Sequence, residues 1–251
     1  MVALWLVGDS VSSSSCVNSS SHHPHLRAEL STVISRLAET YSTPRFGPHV
    51  TLLTRVPFDN NDNNDDDDEG TCSIETVRQT LSDWKRQEPE DGELELELTR
   101  LGSKSQEGVY FQYLFAEVKL SDRLERLRTR VRRGLIPRRA DDDDTVDDYF
   151  PHLSLMYGTD EDDRDRDEDE DETERGATEE KKKKRRIARE IMSELESDGT
   201  VVTTTKKEDG DRAGDGRITV SGVDRFVARE VWCVRCQGPV EAWTVLGKIA
   251  L

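Results

Sequence analysis

One short sequence pattern occurs twice in this chain, at residues 49–52 (HVTL) and again 103 positions later, at residues 152–155 (HLSL). In each copy a proline directly precedes the histidine, and a phenylalanine lies one or two residues before that proline. Alternation of polar and apolar residues is typical of a β-strand, in which alternate side chains point to the same face. Each copy is therefore predicted to present an imidazole and a hydroxyl on one face of a strand and to bury two apolar side chains on the other.

The histidines of the repeat stand out because the chain has only five. The other three lie in or beside a polar loop at residues 10–23. A single histidine in a strand is commonly an ordinary half-buried residue, but chance does not readily produce the same order of proline, histidine, apolar residue, hydroxyl and apolar residue twice. We therefore interpret His49 and His152 as a catalytic pair, with Thr51 and Ser154 beside them.

Two such strands facing each other would bring two imidazoles and two hydroxyl donors into one pocket. An imidazole with a pKa near 6.5 can act as a general base or a general acid at neutral pH. Hydroxyls on the same face can donate to phosphate oxygens as negative charge develops on them. The residues thus predict acid–base chemistry on a phosphate without a metal or a cofactor, and they leave open which histidine is the base.

Acidic residues are concentrated in three runs, at 59–69, 141–148 and 160–174, which hold 25 of the 53 in the chain. Without these runs and the basic block at 181–186, 28 acidic and 28 basic residues remain, so the formal net charge of −17 belongs to the runs and not to the body. Such runs repel themselves and stay solvated. We expect disordered insertions at 59–70 and 159–180, and no duplex nucleic acid partner, since that partner would need a basic face.

No segment of the sequence reaches the ~20 apolar residues that a membrane-spanning helix needs. The strand-like start at 2–7 does not resemble a signal peptide. The four cysteines, Cys16, Cys72, Cys233 and Cys236, are predicted to be free thiols. The last two have Cys-x-x-Cys spacing, but no second pair of zinc ligands lies nearby in the sequence, so we do not expect a zinc site. We expect a cytoplasmic monomer and leave a nuclear or endomembrane-associated pool open.

Apolar spacing predicts the order of the elements. Helices are predicted at 25–41, 74–84 and 122–135, with a further amphipathic helical stretch at 187–195. Strands are predicted at 2–7, 49–52, 94–98, 109–118, 150–157, 217–223, 226–236 and 242–249, the last two as a hairpin. Polar loops are expected at 10–23 and 198–216. This order indicates one α+β domain over residues 1–251, with antiparallel sheets and helices on their outer faces.

The pair of motifs resembles the signature of the two-histidine phosphoesterases, a superfamily defined by two His-x-Thr/Ser-x elements in which x is apolar. Three further segments are similar to the cyclic phosphodiesterases of plants and fungi: residues 153–158 (LSLMYG), 3–7 (ALWLV) and 243–249 (WTVLGKI). The resemblance departs in the acidic and polar insertions. It implies a bilobal fold in which two antiparallel sheets, with outer helices, enclose a central cleft and carry one motif strand each.

The resemblance also implies an activity and small cyclic nucleotide phosphates as substrates. That activity is hydrolysis of 2′,3′-cyclic nucleotides to 2′-phosphates and of ADP-ribose 1″,2″-cyclic phosphate to ADP-ribose 1″-phosphate, as in turnover of tRNA-splicing by-products. The resemblance further implies that Tyr157 contacts the substrate. Regular alternation would put Tyr157 on the face opposite His152, so a bulge or a strand end is needed between them.

Two alternative functions remain open at this point. One is an RNA-end phosphodiesterase or a 2′-5′ RNA ligase-like enzyme, which a basic groove beside the cleft would favour. The other is a nucleotide-binding module that does not turn over its ligand. Trp5, Phe111 and Tyr113 could stack a base in any of these proteins, although aromatic residues at strand spacing more often belong to a core.

Overall fold

The computed structural model describes residues 1–11, 25–58, 72–88, 92–107, 109–136, 149–158, 174–204 and 216–251, and these form nine β-strands and four α-helices. The strands are β1 (Val2–Val11), β2 (Val50–Val56), β3 (Leu94–Gly102), β4 (Leu114–Val118), β5 (His152–Met156), β6 (Val201–Thr204), β7 (Arg217–Val220), β8 (Arg225–Arg235) and β9 (Thr244–Ala250). The helices are α1 (His25–Tyr41), α2 (Ile74–Gln87), α3 (Asp122–Leu135) and α4 (Glu174–Ser197). The predicted insertion at 59–70 lies outside the described residues, as do 159–173 of the second insertion, 12–23 of the first polar loop and 205–215 of the other.

Seven strands form one antiparallel sheet in the order β1-β2-β5-β4-β3-β8-β9, and a further pairing of β1 with β8 closes the first six into a ring. The fold is therefore mixed α/β with a closed, barrel-like antiparallel sheet. The two separate sheets and the two lobes that the sequence predicted are not confirmed. The reason is the length of β8, which pairs with β1 along one edge and with both β3 and β9 along the other.

The two motif strands meet where the ring is most weakly joined. β2 and β5 share the single ladder pair of Val50 and Leu153, whereas β1 pairs with β8 along its whole length. Strands that share one ladder pair diverge on either side of it. The interior face of the ring is therefore least tightly closed next to the two histidines.

The helices cover the outer face of the ring. The main buried cluster contains Leu4, Leu52 and Leu155 from the strands and residues of all four helices, including Leu30, Leu81, Leu127 and Ile191. A helix is about 10 Å wide, and even a ring of eight strands is only wide enough for side chains or one small ligand. The helices must therefore lie outside the six-stranded ring, and the strand residues that alternate with these leucines face its interior.

Helices α2 and α3 begin where serines satisfy their first N–H groups. The Ser73 hydroxyl accepts a hydrogen bond from the N–H of Thr76 (3.1 Å), and the Ser121 hydroxyl accepts one from the N–H of Leu124 (3.3 Å). The two helices pack against each other outside the ring. Among the described residues, no helix is both long enough and apolar enough to cross a membrane.

Several predicted boundaries are corrected by the structure, and four of the differences are the following. β1 continues past residue 7 to Val11, because at Gly8 the chain approaches β8 so closely that a Cβ would lie 1.7 Å from the Val227 carbonyl oxygen. The predicted strand at 109–118 is confined to β4, since residues 110–112 form a 3₁₀ turn. β6 lies inside the predicted loop at 198–216 and pairs with β7. α4 begins at Glu174, inside the insertion predicted at 159–180.

The described cysteines are free thiols, as predicted. Cys72 and Cys233 are buried and Cys236 is half-buried, while Cys16 lies outside the described residues. The predicted hairpin of the last two strands is confirmed by the antiparallel pairing of β8 with β9.

Candidate active site

The two copies of the repeated pattern lie on paired antiparallel strands. Val50 of β2 lies opposite Leu153 of β5 in an antiparallel pair. Counting outward from this pair puts His49 opposite Ser154 and Thr51 opposite His152, so a local two-fold axis relates the two copies. Because side chains alternate along a strand, all four polar side chains share the face that points into the ring. The structure therefore brings together the four residues that the sequence predicted.

The two imidazoles have the same fixed tautomer. Nδ1 of His49 lies 2.7 Å from the carbonyl oxygen of Gly47, and Nδ1 of His152 lies 2.9 Å from that of Phe150. A carbonyl oxygen can only accept, so both Nδ1 atoms carry a proton. In the neutral rings Nε2 then holds the lone pair. In each copy the acceptor is the residue just before the proline of the repeat.

His49 is packed among aromatic rings and is 4% exposed. The ring of Trp5 stacks on it with 3.7 Å between centroids and 14° between planes, and Phe46 meets it edge-on. Burial lowers the pKa of His49 to about 4, against the hydrogen bond to Gly47, and the nearby imidazole of His152 lowers it further. His49 is therefore neutral at pH 7, with its lone pair on Nε2.

His152 is only half-buried. Its ring stacks on Phe150 with centroids 5.5 Å apart and meets Phe115 edge-on at 5.4 Å. Burial lowers the pKa of His152 below its usual value, and the Lys104 ammonium lowers it too. The hydrogen bond to the Phe150 carbonyl and the charge of Glu117 act in the opposite direction. Of the two imidazoles, His152 is thus the easier to protonate.

The two hydroxyls differ in what they contact. Ser154 is 5% exposed, and its hydroxyl donates to the carbonyl of Phe111 at 3.0 Å. Thr51 is half-buried, and within the described part of the chain its hydroxyl has no hydrogen-bond partner. The hydroxyl of Tyr149 donates to the Thr51 backbone carbonyl at 3.1 Å and so holds this part of β2 in place. Thr51 can donate to a phosphate directly, whereas the Ser154 hydroxyl must first leave a carbonyl.

Tyr157 reaches the site because β5 contains a bulge. Ser154 lies opposite Phe115 on β4, but Met156 lies opposite Leu114, so β5 carries one extra residue. The extra residue reverses the alternation, and the Tyr157 hydroxyl lies 3.4 Å from Nε2 of His49. Burial raises the pKa of Tyr157, so its hydroxyl stays protonated and is oriented to donate to the neutral imidazole.

The aromatic residues that the sequence left undecided fall into two groups. Trp5 belongs to the site through its stack on His49, and Phe111, which is 39% exposed, meets Tyr157 edge-on at 5.3 Å. Tyr113 is buried in the main core instead. Phe46 stacks on Tyr157 at 3.8 Å, and its place in the repeat was the sequence signal for this residue.

Lys104 was missed entirely, because an isolated lysine in a connecting segment carries no sequence signal. Its ammonium acts on His152 from the connection between β3 and β4. Among the described residues, no three histidine, cysteine, aspartate or glutamate side chains are grouped closely enough to hold a metal ion. The described site thus contains imidazoles, hydroxyls, aromatic rings and one ammonium group.

Comparison with models of protein families identifies a family that the chain matches. A family model described as "Cyclic phosphodiesterase-like protein" matches residues 12–251, which is nearly the whole chain and includes both motifs. No curated protein matches the chain.

Proposed function

The chain belongs to the cyclic phosphodiesterase-like family, and from this premise we propose that it hydrolyses 2′,3′-cyclic nucleotides to 2′-phosphates by acid–base catalysis with two histidines. The observation that carries the proposal is the pair of imidazoles, held in the same tautomer by carbonyls two residues upstream. The position of the phosphate in the product rests on the family resemblance. So does the second proposed substrate, ADP-ribose 1″,2″-cyclic phosphate from tRNA splicing.

We assign the base to His49 and the acid to His152. The Tyr157 hydroxyl gives up its contact with Nε2 of the neutral His49, and this Nε2 takes a proton from water as the water oxygen bonds to phosphorus. The bond between phosphorus and the 3′ oxygen breaks on the opposite side, and protonated His152 gives its Nε2 proton to that oxygen. The net change is addition of one water molecule, and solvent returns the proton from His49 to His152. Burial of His49 among aromatic rings supports this assignment, because it keeps the imidazole neutral, which is the form that a base must have before it takes up a proton.

The four 2′,3′-cyclic nucleotides, each incubated with the protein, test the proposal. We expect turnover of at least one of them to its 2′-phosphate, identified by phosphorus NMR against authentic 2′- and 3′-monophosphates. Accumulation of the 3′-phosphate would contradict the proposed regiochemistry. Binding without turnover would favour the non-catalytic nucleotide-binding module. The proposal also holds the enzyme to be a cytoplasmic monomer, which gel filtration and cell fractionation would test.

The basic block at 181–186 does not favour the alternative of an RNA-end enzyme. It lies on α4, where the ammonium of Lys182 is 2.7 Å from a Glu179 carboxylate oxygen and Arg186 is 3.6 Å from Glu190. All four of these side chains are mostly exposed. Part of the positive charge is therefore balanced within the helix itself.

The pH dependence of kcat/KM should be bell-shaped and centred on the acidic side of neutrality. The base must be neutral, so activity should fall below pH 4–5, as His49 with its pKa of about 4 becomes protonated. The acid must be protonated, so activity should be lost as the pH rises through the pKa of His152. Because that pKa is lowered from 6.5, the loss should begin before the pH reaches 7. Rates for one cyclic nucleotide between pH 3.5 and 9, with circular dichroism to check folding in each buffer, would test this. An optimum above pH 8 would contradict it.

Activity should survive chelation of divalent ions. In the proposed mechanism imidazoles and hydroxyl donors do the work that a metal would do as a Lewis acid. We expect unchanged turnover after dialysis against EDTA, and no stimulation by Mg²⁺, Mn²⁺ or Zn²⁺. Loss of turnover that a divalent ion restores would show that the roles of the two histidines are misassigned.

A further inference from the structure

The backbone of Lys104 is held in place although it lies in a connection. Its N–H donates to the carbonyl of Gln112 at 2.9 Å, and its own carbonyl accepts the N–H of Glu107 at 2.9 Å. The next residue, Ser105, is buried, and its hydroxyl donates to the carbonyl of Lys184 on α4 at 3.4 Å. The segment is thus fixed to both the β4 side of the ring and a helix, so the direction in which Lys104 extends is determined by the fold.

The ammonium of Lys104 lies beside the catalytic pair. Nζ is 4.9 Å from the centroid of the Phe150 ring, and the His152 ring is stacked on that same phenylalanine. Glu117, the carboxylate whose charge acts on His152, forms an ion pair with Arg100. In the part of the chain that the structure describes, no carboxylate pairs with Lys104. A positive charge with no ion-pair partner there is therefore directed at the His152 side of the site.

We propose that Lys104 binds the substrate phosphate and holds it against His152, which makes Lys104 a substrate-binding residue of the hydrolysis proposed above, on which this inference rests. A cyclic phosphodiester carries one negative charge, and the monoester product carries nearly two. The negative charge on the phosphate therefore grows during the reaction. A hydrogen bond from an ammonium to a phosphate oxygen is stronger than one from a neutral donor. Near His152 the guanidinium of Arg100 is paired with Glu117, whereas no carboxylate of the described residues pairs with Lys104, so its ammonium can take this role.

Phosphate binding at Lys104 would also favour the protonation of His152. In the free protein the ammonium opposes a second positive charge on the imidazole. A phosphate between the two groups compensates the ammonium and attracts the proton to His152. The acid would thus be charged mainly when substrate is present. The groups that act on His152 in this scheme are Lys104, Glu117 with its partner Arg100, and the neutral His49 across the site.

Three variants separate the charge of Lys104 from the space it fills. Lys104→Met keeps an unbranched stem over Phe150 and removes the charge, and Lys104→Arg keeps the charge. Lys85→Met removes an equal charge from an exposed position on α2. We expect Lys104→Met to lower kcat/KM by ~10–100-fold, as for one lost hydrogen bond to a charged group. The Lys104→Arg and Lys85→Met variants should keep most of the activity. Wild-type kcat/KM in Lys104→Met would overturn the proposal.

A second measurement does not depend on turnover. Proton NMR of the imidazoles should show that Lys104→Met raises the pKa of His152 and leaves that of His49 in place, a change that a purely structural role would not produce. Calorimetry with adenosine 2′-monophosphate should show binding weakened by ~10–100-fold. If the wild type binds this nucleotide but hydrolyses no cyclic nucleotide, the proposed function fails while weaker binding by Lys104→Met still supports the phosphate contact. Equal binding by both proteins would overturn it.

Discussion

Replacing either His49 or His152 with alanine should lower turnover of a cyclic nucleotide by ~10²–10⁴-fold, the usual contribution of one general acid or base. The double replacement should be little worse than either single one, because both protons move in one transition state and the two residues act as a unit. The two histidines differ in the way that these roles require, since His49 is deeply buried and stays neutral whereas His152 is half-buried and easier to charge.

Alanine at position 49 also leaves a gap between Trp5 and Phe46, so folding must be separated from chemistry. His49→Asn is the matched control, because an asparagine amide can keep the hydrogen bond to the Gly47 carbonyl without taking up a proton. The same substitution at His152 keeps the bond to Phe150. Both asparagine variants should fold with near wild-type melting temperatures and be as inactive as the alanine variants. Substantial turnover by any single variant would rule out the two-histidine mechanism.

The local part of the site could be predicted from the sequence because it depends on strand periodicity alone. Alternation of polar and apolar residues put the histidine and the hydroxyl of each copy on one face, and the structure has His49, Thr51, His152 and Ser154 on the same interior face. The apolar neighbours Leu52 and Leu155 are buried against the helices, as the same periodicity requires.

The parts that could not be predicted depend on which strands share an edge. Nothing in the pattern of β8 indicates that one strand pairs with β1, β3 and β9, yet this pairing closes the ring. The bulge in β5, which lets Tyr157 reach His49, has no turn or glycine at the inserted residue, and only the family's assignment of Tyr157 to the site indicated that a bulge or a strand end was needed. Lys104 acts on His152 across the connection between strands. Long-range pairing of this kind leaves no local periodicity to read.

The second large effect is expected at the hydroxyls that face the phosphate. Thr51→Ala and Ser154→Ala should each slow turnover by ~10²–10³-fold, the usual result of losing one preorganised donor to a developing charge. Both variants should keep measurable activity, because the two imidazoles remain. Thr51→Ser is the control: it retains the hydroxyl and should stay within a few-fold of wild type. Equal losses in Thr51→Ser and Thr51→Ala would mean that the threonine methyl group, and not the hydroxyl, is important.

Ser154→Ala has a further consequence, because it leaves the Phe111 carbonyl without its side-chain donor. Its melting temperature must therefore be measured beside its rate, and a fall in rate without a fall in stability would identify the contact with phosphate. Neither hydroxyl should become phosphorylated. Ser154 donates to a carbonyl and not to an imidazole, so its hydrogen bond does not activate it as a nucleophile, and we expect water to attack phosphorus directly. Rapid-quench mass spectrometry should accordingly find unmodified Thr51 and Ser154 during turnover. A phosphate trapped on either residue would replace direct attack by water with a covalent intermediate.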